Sequence, residues 1–534
     1  MLRALPPALA ATSGLALLAA HPPLGWWPAS FVAPALLVAA LWSDAAARQQ
    51  AGRGARGFRL GMVAGAVTFA PMLSWLILAA GYVGWGLLVL VQVLWMGLLG
   101  ALLAPFRDQA WLPLGAAAVW TGIDAWRAIW PLGGFEWGAI AYAHVDGSWL
   151  APIARLVGGR GITFLVVLIG VAAAMTVRST WHSVRGRDGR AVEHALGATR
   201  WPVALLVGGL LVSVLGVVEP PEADGSLEVL VVQGNDRRHW EDDSPDPDPP
   251  LRITTAMRDE TLAAIERDGV PDVTVWPESS INRDPFSERG RQLGVLADEA
   301  ADAAGTIIAG AVLDGPDPDL ERYNAAIVLE DGLEETDRYV KRRPVPFGEY
   351  IPARPLLDWF PPLDQIPRDT IAGEGPQPLH VGEDEVPVSV IICFETKFQS
   401  LTRDNVLGTG DEPTQLLLTQ TNDASFGDSA EPAQHLAQSR LRAIETGRHV
   451  VHGALTGSSA FVAPDGSVED ATEVFTIDSI RKEVPLVSGL TPYLVIGDVV
   501  GWLTRAVVVL AIVAVVVGRI ARRRGSTLPF VHER

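Results

Sequence analysis

Cysteine is almost absent: Cys393 is the single one among 534 residues. That excludes an intrachain disulfide framework and any metal cluster built on thiolates. Basic residues are also short, with 42 Lys and Arg against 61 Asp and Glu and a formal net charge of −19. No basic field exists to neutralise phosphates, so a nucleic-acid partner is excluded. A lone cysteine ordinarily packs as a small hydrophobe, and only its neighbours can argue otherwise. Apolar residues, by contrast, are plentiful at 49% and unevenly spread. They cluster in the first two hundred or so positions and again near the C-terminus, around a middle rich in Asp, Glu and Pro. This length exceeds one compact domain, and the distribution suits membrane helices joined to one large polar domain.

Eight apolar stretches approach the length of a span, near 9–25, 26–42, 60–80, 83–106, 111–130, 162–177, 202–218 and 499–520. The first has a short basic start but is followed at once by further spans, so a retained anchor is expected rather than a cleaved signal. With eight spans, three arginine clusters share one side: Arg48, Arg53, Arg56 and Arg59; Arg178, Arg185, Arg187, Arg190 and Arg200; and Arg519, Arg522, Arg523 and Arg524. Positive loops face the cytoplasm, which sends the central block outward. The expected organisation is a bundle over 1–218, an extracytoplasmic domain over 219–498, and a final helix with a basic tail over 499–534. Asp124 and Arg127 stand one turn apart at membrane depth, where charge marks function or a structural pair; the structural pair is favoured. Segment 133–159 is too polar to span, and its Trp137, Tyr142 and Trp149 suit rings at headgroup level.

The run EDDSPDPDPP at 241–250 reads as a surface loop. Around it lie short β-branched runs: LEVLVVQGN, PDVTVWPES, GTIIAGAVLD, YNAAIVLED, VPVSVIICFE and TQLLLTQTND. Helical patterns fall between several of them, for example over 254–267 and 286–304. This alternation indicates an α/β domain with a largely buried sheet.

Chemistry-bearing residues stand at the ends of these runs, where α/β sheets place their sites. Glu278 ends VTVWPE, Lys341 opens KRRPVPFGEY, which also supplies Glu349, and Cys393 and Glu395 end VSVIICFE. Asn422 and Asp423 end TQLLLTQTND. A carboxylate, an ammonium and a thiol together suit nucleophilic acyl chemistry: the carboxylate takes the thiol proton and the cation stabilises thiolate and oxyanion. Each residue alone says little; only the conjunction informs.

That conjunction resembles the Glu-Lys-Cys triad of the nitrilase, or carbon–nitrogen hydrolase, superfamily, and RAIETGR at 442–448 with the Pro-Asp-Gly turn at 464–466 is similar to its later segments. Nearly the whole chain looks like the apolipoprotein N-acyltransferase family. VQGN at 232–235, VPFGEYIP at 345–352, TNDASFGDS at 421–429 and GLTPYLVIGD at 489–498 carry that resemblance. It implies an αββα sandwich between seven spans and a final one, in a bacterial inner membrane, and no cofactor. It also implies Glu278 as general base, Lys341 as oxyanion stabiliser, Cys393 as nucleophile, and Glu349 and Glu395 in support. The implied substrates are a phospholipid acyl donor and a diacylglyceryl-modified apolipoprotein whose N-terminal amine accepts the chain.

The sequence departs from the family at Phe394, where Tyr is common, at Ser425, where an aromatic is common, and in ALTGSS at 454–459, which lacks an Asn. With Asn422, these concern the pocket rather than the triad. Segment 351–369 carries Trp359 and Phe360 between prolines and reads as a lid leaning on the bilayer, or as a buried loop. A membrane-tethered amidase, a non-catalytic scaffold and a transporter are the alternatives. The complete triad argues against the scaffold, and the large polar domain against the transporter.

Overall fold

The computed structural model describes residues 4–44, 52–186, 219–236, 248–330, 332–357, 363, 365–382, 384–410 and 412–523. It divides into two compact units, Met1–Ile77 with Gly81–Val218 and Asp498–Arg534, and Glu219–Gly497 with Leu78–Ala80.

The longer helices of the first unit, among the described residues, are Leu5–Ala20, Ala29–Ser43, Arg53–Met72, Leu76–Leu103, Leu112–Arg127, Gly159–Gly186 and Val499–Arg523. The first stops at Ala20 because His21-Pro22-Pro23 cannot extend it: proline lacks the amide that would continue the ladder. Among the described residues, three segments are long and apolar enough to cross a membrane: Leu76–Phe106, Gly159–Trp181 and Val499–Gly518. Leu5–Ala20 and Ala29–Ser43 are apolar but shorter. The expected span at 202–218 lies outside the described residues. Among the described residues, three of the eight expected spans meet both length and composition.

Glycines let two of these helices approach closely. A Cβ at Gly57 would stand 2.2 Å from the Gly100 carbonyl oxygen, and one at Gly61 2.0 Å from that of Met96. Small residues do this where lipid supplies no hydrophobic drive between helices. Gly61→Leu should therefore cost about 1–3 kcal/mol or more through overpacking, read as a lower Tm of the detergent-solubilised chain. Gly86→Ala, at a site with open space around it, should leave the Tm unchanged.

Arg127 is fully enclosed, bonded to Asp124 (2.7 Å), Gln92 (2.7 Å) and the Trp137 carbonyl (2.6 Å). The pair is structural, as favoured: it fastens the polar segment that follows. Expected at headgroup level, Trp137 and Tyr142 are instead 5% and 4% exposed. Trp137 packs on Trp75 and Phe135 at 5.1 and 5.7 Å between ring centres. Arg160 meanwhile binds Glu136 and Asp498, so the segment's polar atoms find partners inside the unit. Polarity ruled out a span here, but it did not imply exposure.

The second unit is an αββα sandwich. One sheet runs in the order β13(Asp478–Leu486), β1(Gly225–Gln233), β2(Val273–Ile281), β3(Ile307–Asp314), β4(Glu321–Glu330), β5(Glu334–Val340), with β6(Asp369–Thr370) on β4. The other runs β12(Val468–Ala471), β11(Ala460–Val462), β10(Val450–Ala454), β9(Leu416–Thr421), β8(Val386–Ile392), β7(Leu379–Val381). Parallel pairs β1–β2, β2–β3, β8–β9 and β9–β10 form the centres, with antiparallel strands outside them.

Side chains alternate along a strand, so each strand serves two cores. Val229 and Val231 face Val388, Val390 and Leu418 between the sheets. Leu230 and Val232 face Ile253, Met257 and Ala264 of the helix Pro249–Asp268. The second sheet is covered likewise, with Ile391, Leu417 and Val450 against Ala443 of the helix Glu431–Thr446. Strands buried on both faces explain the near-continuous apolar runs in the sequence.

Candidate active site

Each strand that matters ends at the same place. Glu278 lies in the last turn of β2, where the β2–β3 register shifts and Ser279 adopts φ 62°. Lys341 follows β5 directly and Cys393 follows β8 directly. Buried Gln420 of β9 donates to the Trp276 carbonyl at 2.7 Å, tying the strand ahead of Asn422 to the one that carries Glu278.

Lys341 is 1% exposed. Its Nζ donates to Glu278 Oε1 and to Glu349 Oε1, both at 3.0 Å. An ammonium has three hydrogens, and Glu349 Oε2 also lies 3.0 Å from Nζ. Burial alone would favour the neutral amine, but the charges of Glu278, Glu349 and the thiol outweigh it and hold Lys341 above its ordinary value. Glu349 is buried too, yet Lys341, the Asn324 amide and the Val345 N–H (2.7 Å) hold its carboxyl below the usual range.

Burial, then the Glu278 charge, push the Cys393 thiol well up, only partly offset by Lys341. The thiol rests protonated, so a base must take its hydrogen before it can attack. Glu278 has an oxygen for this: Oε1 is taken by Lys341 and Asn324, and Oε2 by the Asn422 N–H alone, at 3.0 Å.

The structure brings Glu278, Lys341, Glu349 and Cys393 together and assigns the others different work. Glu395 accepts from the amides of Ile392 (2.9 Å), Arg342 (2.7 Å) and Arg343 (3.0 Å) and from Tyr339 Oη (2.9 Å). It ties the turn after Cys393 to the turn after Lys341. Asn422 contributes its main-chain N–H, while its side chain accepts from Ala424. Phe394 lies edge-on to Phe398 with the Lys397 ammonium 2.9 Å over its ring centre. Ser425 is half-buried in the turn Ala424–Phe426. Trp359 and Phe360 lie outside the described residues. The ends of that segment are pinned, with Arg354 bonded to Asp369 at 2.6 and 2.9 Å and Ile351 N–H to the same carboxylate.

Asn324 escaped the sequence reading. Its Nδ2 donates to Glu278 Oε1 (2.7 Å) and Glu349 Oε1 (2.8 Å), bridging two like charges that would otherwise repel. The signal was present: an amide opening an otherwise apolar strand, YNAAIVLE. Among the described residues, one cluster, Asp423, Glu431 and His435, has a donor set of the kind that takes a metal ion, its ligand atoms within 4.8 Å of one another.

Residues 13–172 match the model of the apolipoprotein N-acyltransferase N-terminal domain, and residues 254–477 that of carbon-nitrogen hydrolase. An apolipoprotein N-acyltransferase of Mycolicibacterium smegmatis is 32% identical over 98% of this chain and 88% of its own length. Those of Photobacterium profundum and Caulobacter vibrioides are 30% and 29% identical, over 74% and 92% of this chain and 71% and 91% of theirs. A solved amidase from Nesterenkonia sp. aligns with a TM-score of 0.34 at 17% identity, over 50% of this chain and 92% of that one.

Proposed function

Because the chain belongs to the apolipoprotein N-acyltransferase family, we propose that it moves an acyl chain from a membrane phospholipid to a lipoprotein amine through a thioester on Cys393. The observation that carries this reading is the Glu278–Lys341–Glu349 cluster at the strand ends beside a buried thiol.

Glu278 takes the Sγ proton and the thiolate attacks the ester carbonyl of the phospholipid. The oxyanion is held by the Lys341 ammonium. Collapse breaks the ester C–O bond; the leaving alkoxide takes the proton from Glu278 and departs as lysophospholipid. The N-terminal amine of a diacylglyceryl-cysteine apolipoprotein then attacks the thioester. Glu278 removes the amine proton and returns it to the departing Cys393 sulfur, leaving an amide. Such a sequence is ping-pong, with one covalent intermediate and one base used twice.

The three long apolar helices among the described residues support a membrane protein, which suits two lipid-bearing substrates. The arginine clusters support a bacterial inner membrane with the catalytic domain on the extracytoplasmic side, the polarity that the eight crossings expected from the sequence would give. Excluding water from the thioester would favour the amine.

The test is where the acyl group goes. With radiolabelled phospholipid and a diacylated lipopeptide, label should appear on the lipopeptide in a bond resistant to hydroxylamine. Release as free fatty acid, at a rate the lipopeptide does not alter, would instead make this a membrane-tethered hydrolase.

A further inference from the structure

Behind the nucleophile lies a buried polar cluster that the reaction as written does not use. His435, on the helix Glu431–Thr446, is 2% exposed. Its Nε2 lies 3.1 Å from the main-chain carbonyl of Cys393 and 3.3 Å from Thr396 Oγ1. Its Nδ1 lies 3.2 Å from Thr421 Oγ1, 3.3 Å from Asp423 Oδ1 and 3.7 Å from Glu431. Thr421 donates its hydroxyl hydrogen to Asp423 (2.7 Å), and Thr396 donates its own to the Cys393 carbonyl (2.8 Å). Both hydroxyl oxygens therefore face the ring as acceptors. Nε2 thus has the Cys393 carbonyl within reach as an acceptor for its hydrogen.

The surrounding carboxyl groups divide the charge. Burial opposes ionisation of Asp423, but His435 and Thr421 outweigh it and keep this carboxyl below its usual range. Burial and the Asp423 charge push Glu431 well up, so it stays a neutral acid. Burial and the neighbouring His435 push His452, 5.6 Å away between ring centres, down to about 3.

What needs holding is the Cys393 backbone. Cys393 takes φ 50°, a left-handed conformation that is strained for a non-glycine residue and kept only where the surroundings over-determine it. Two donors on its carbonyl, from Thr396 and His435, do that. The cation-binding alternative is weaker, because Nδ1 and Asp423 Oδ1 are already committed to these hydrogen bonds.

We propose that His435, backed by Asp423, is a positioning residue: it clamps the Cys393 carbonyl in the turn that presents Sγ to Glu278 and Lys341. This rests on Cys393 being the acylated residue. The test is the rate of acyl loading from radiolabelled phospholipid in the full detergent-solubilised chain, with Tm measured alongside. Misplacing a nucleophile by about 1 Å costs on the order of 100-fold. His435→Leu should load about 100-fold more slowly, with the half-saturating phospholipid concentration unchanged. His435→Gln keeps one neutral N–H donor and should recover to within about 10-fold of wild type. Thr396→Val removes the other donor at nearly constant volume and should slow loading several-fold. Wild-type loading in both His435→Leu and Thr396→Val would overturn the proposal. So would loss of loading on chelation with recovery on adding zinc, which would make the cluster a metal site. Label persisting on Cys393→Ser would instead remove the thioester reading beneath it, whatever His435 does.

Discussion

Glu278→Gln should stop acyl transfer while making the Cys393 thiol easier to ionise. Losing a general base typically costs about 10²–10⁴ in rate. Yet the same carboxylate is, after burial, the main influence holding the thiol protonated. Its removal leaves Lys341 beside the sulfur with one anion fewer opposing it, so the thiol's titration midpoint should fall. Cys393 is the only cysteine in the chain, so alkylation by iodoacetamide reports this one group. Alkylation rate against pH should shift to lower pH in Glu278→Gln while loading is lost. A midpoint that stays or rises would mean that Glu278 does not face the sulfur as its proton acceptor.

Lys341→Met should have the opposite titration effect and a second cost. Without the ammonium the thiol midpoint rises, and loading should fall about 10²–10³ through loss of oxyanion stabilisation. Two buried carboxylates would also be left facing each other across Asn324. Breaking a buried pair costs about 3–5 kcal/mol, visible as a lower Tm. The double variant Lys341→Met/Glu349→Gln should regain part of that stability but no activity, because one unpaired charge is gone while the cation is still missing. Equal Tm values for single and double variants would contradict the ion-pair account.

The signs of these shifts also fix the pH window of stability. Glu349 has a depressed folded-state value, so its contribution is present above its unfolded value and lost as pH falls through the folded one. Lys341 has a raised value, so its contribution is present below its unfolded value and lost as pH rises through the folded one. The cluster thus stabilises the fold across neutral pH and weakens at both extremes.

The catalytic domain was legible because its strands are buried on both faces. Runs such as VSVIIC and TQLLLT can only be central strands, and a polar residue closing such a run must sit at a strand end. Glu278, Lys341 and Cys393 follow from that rule. Asn324 and His435 did not, since their work depends on which strand or helix comes to lie beside them. An Asn opening a strand and a His within EPAQHLAQSR look like ordinary surface residues until the sheet order is known. The helical unit was less legible for a related reason. Trp137 and Tyr142 lie in a polar stretch, and only the bonds of Arg127 and Arg160 show that it packs inward. Helices such as Leu5–Ala20 are cut short by local chemistry, here two prolines, that hydropathy alone passes over.

The thioester itself tests the central claim most directly. Purified full-length chain, mixed with radiolabelled phospholipid and no acceptor, should carry label that hydroxylamine removes at neutral pH, on the peptide containing Cys393. Cys393→Ser should carry no such label, and a diacylated lipopeptide should discharge the wild type. Transfer to the lipopeptide by Cys393→Ser at the wild-type rate would contradict the account.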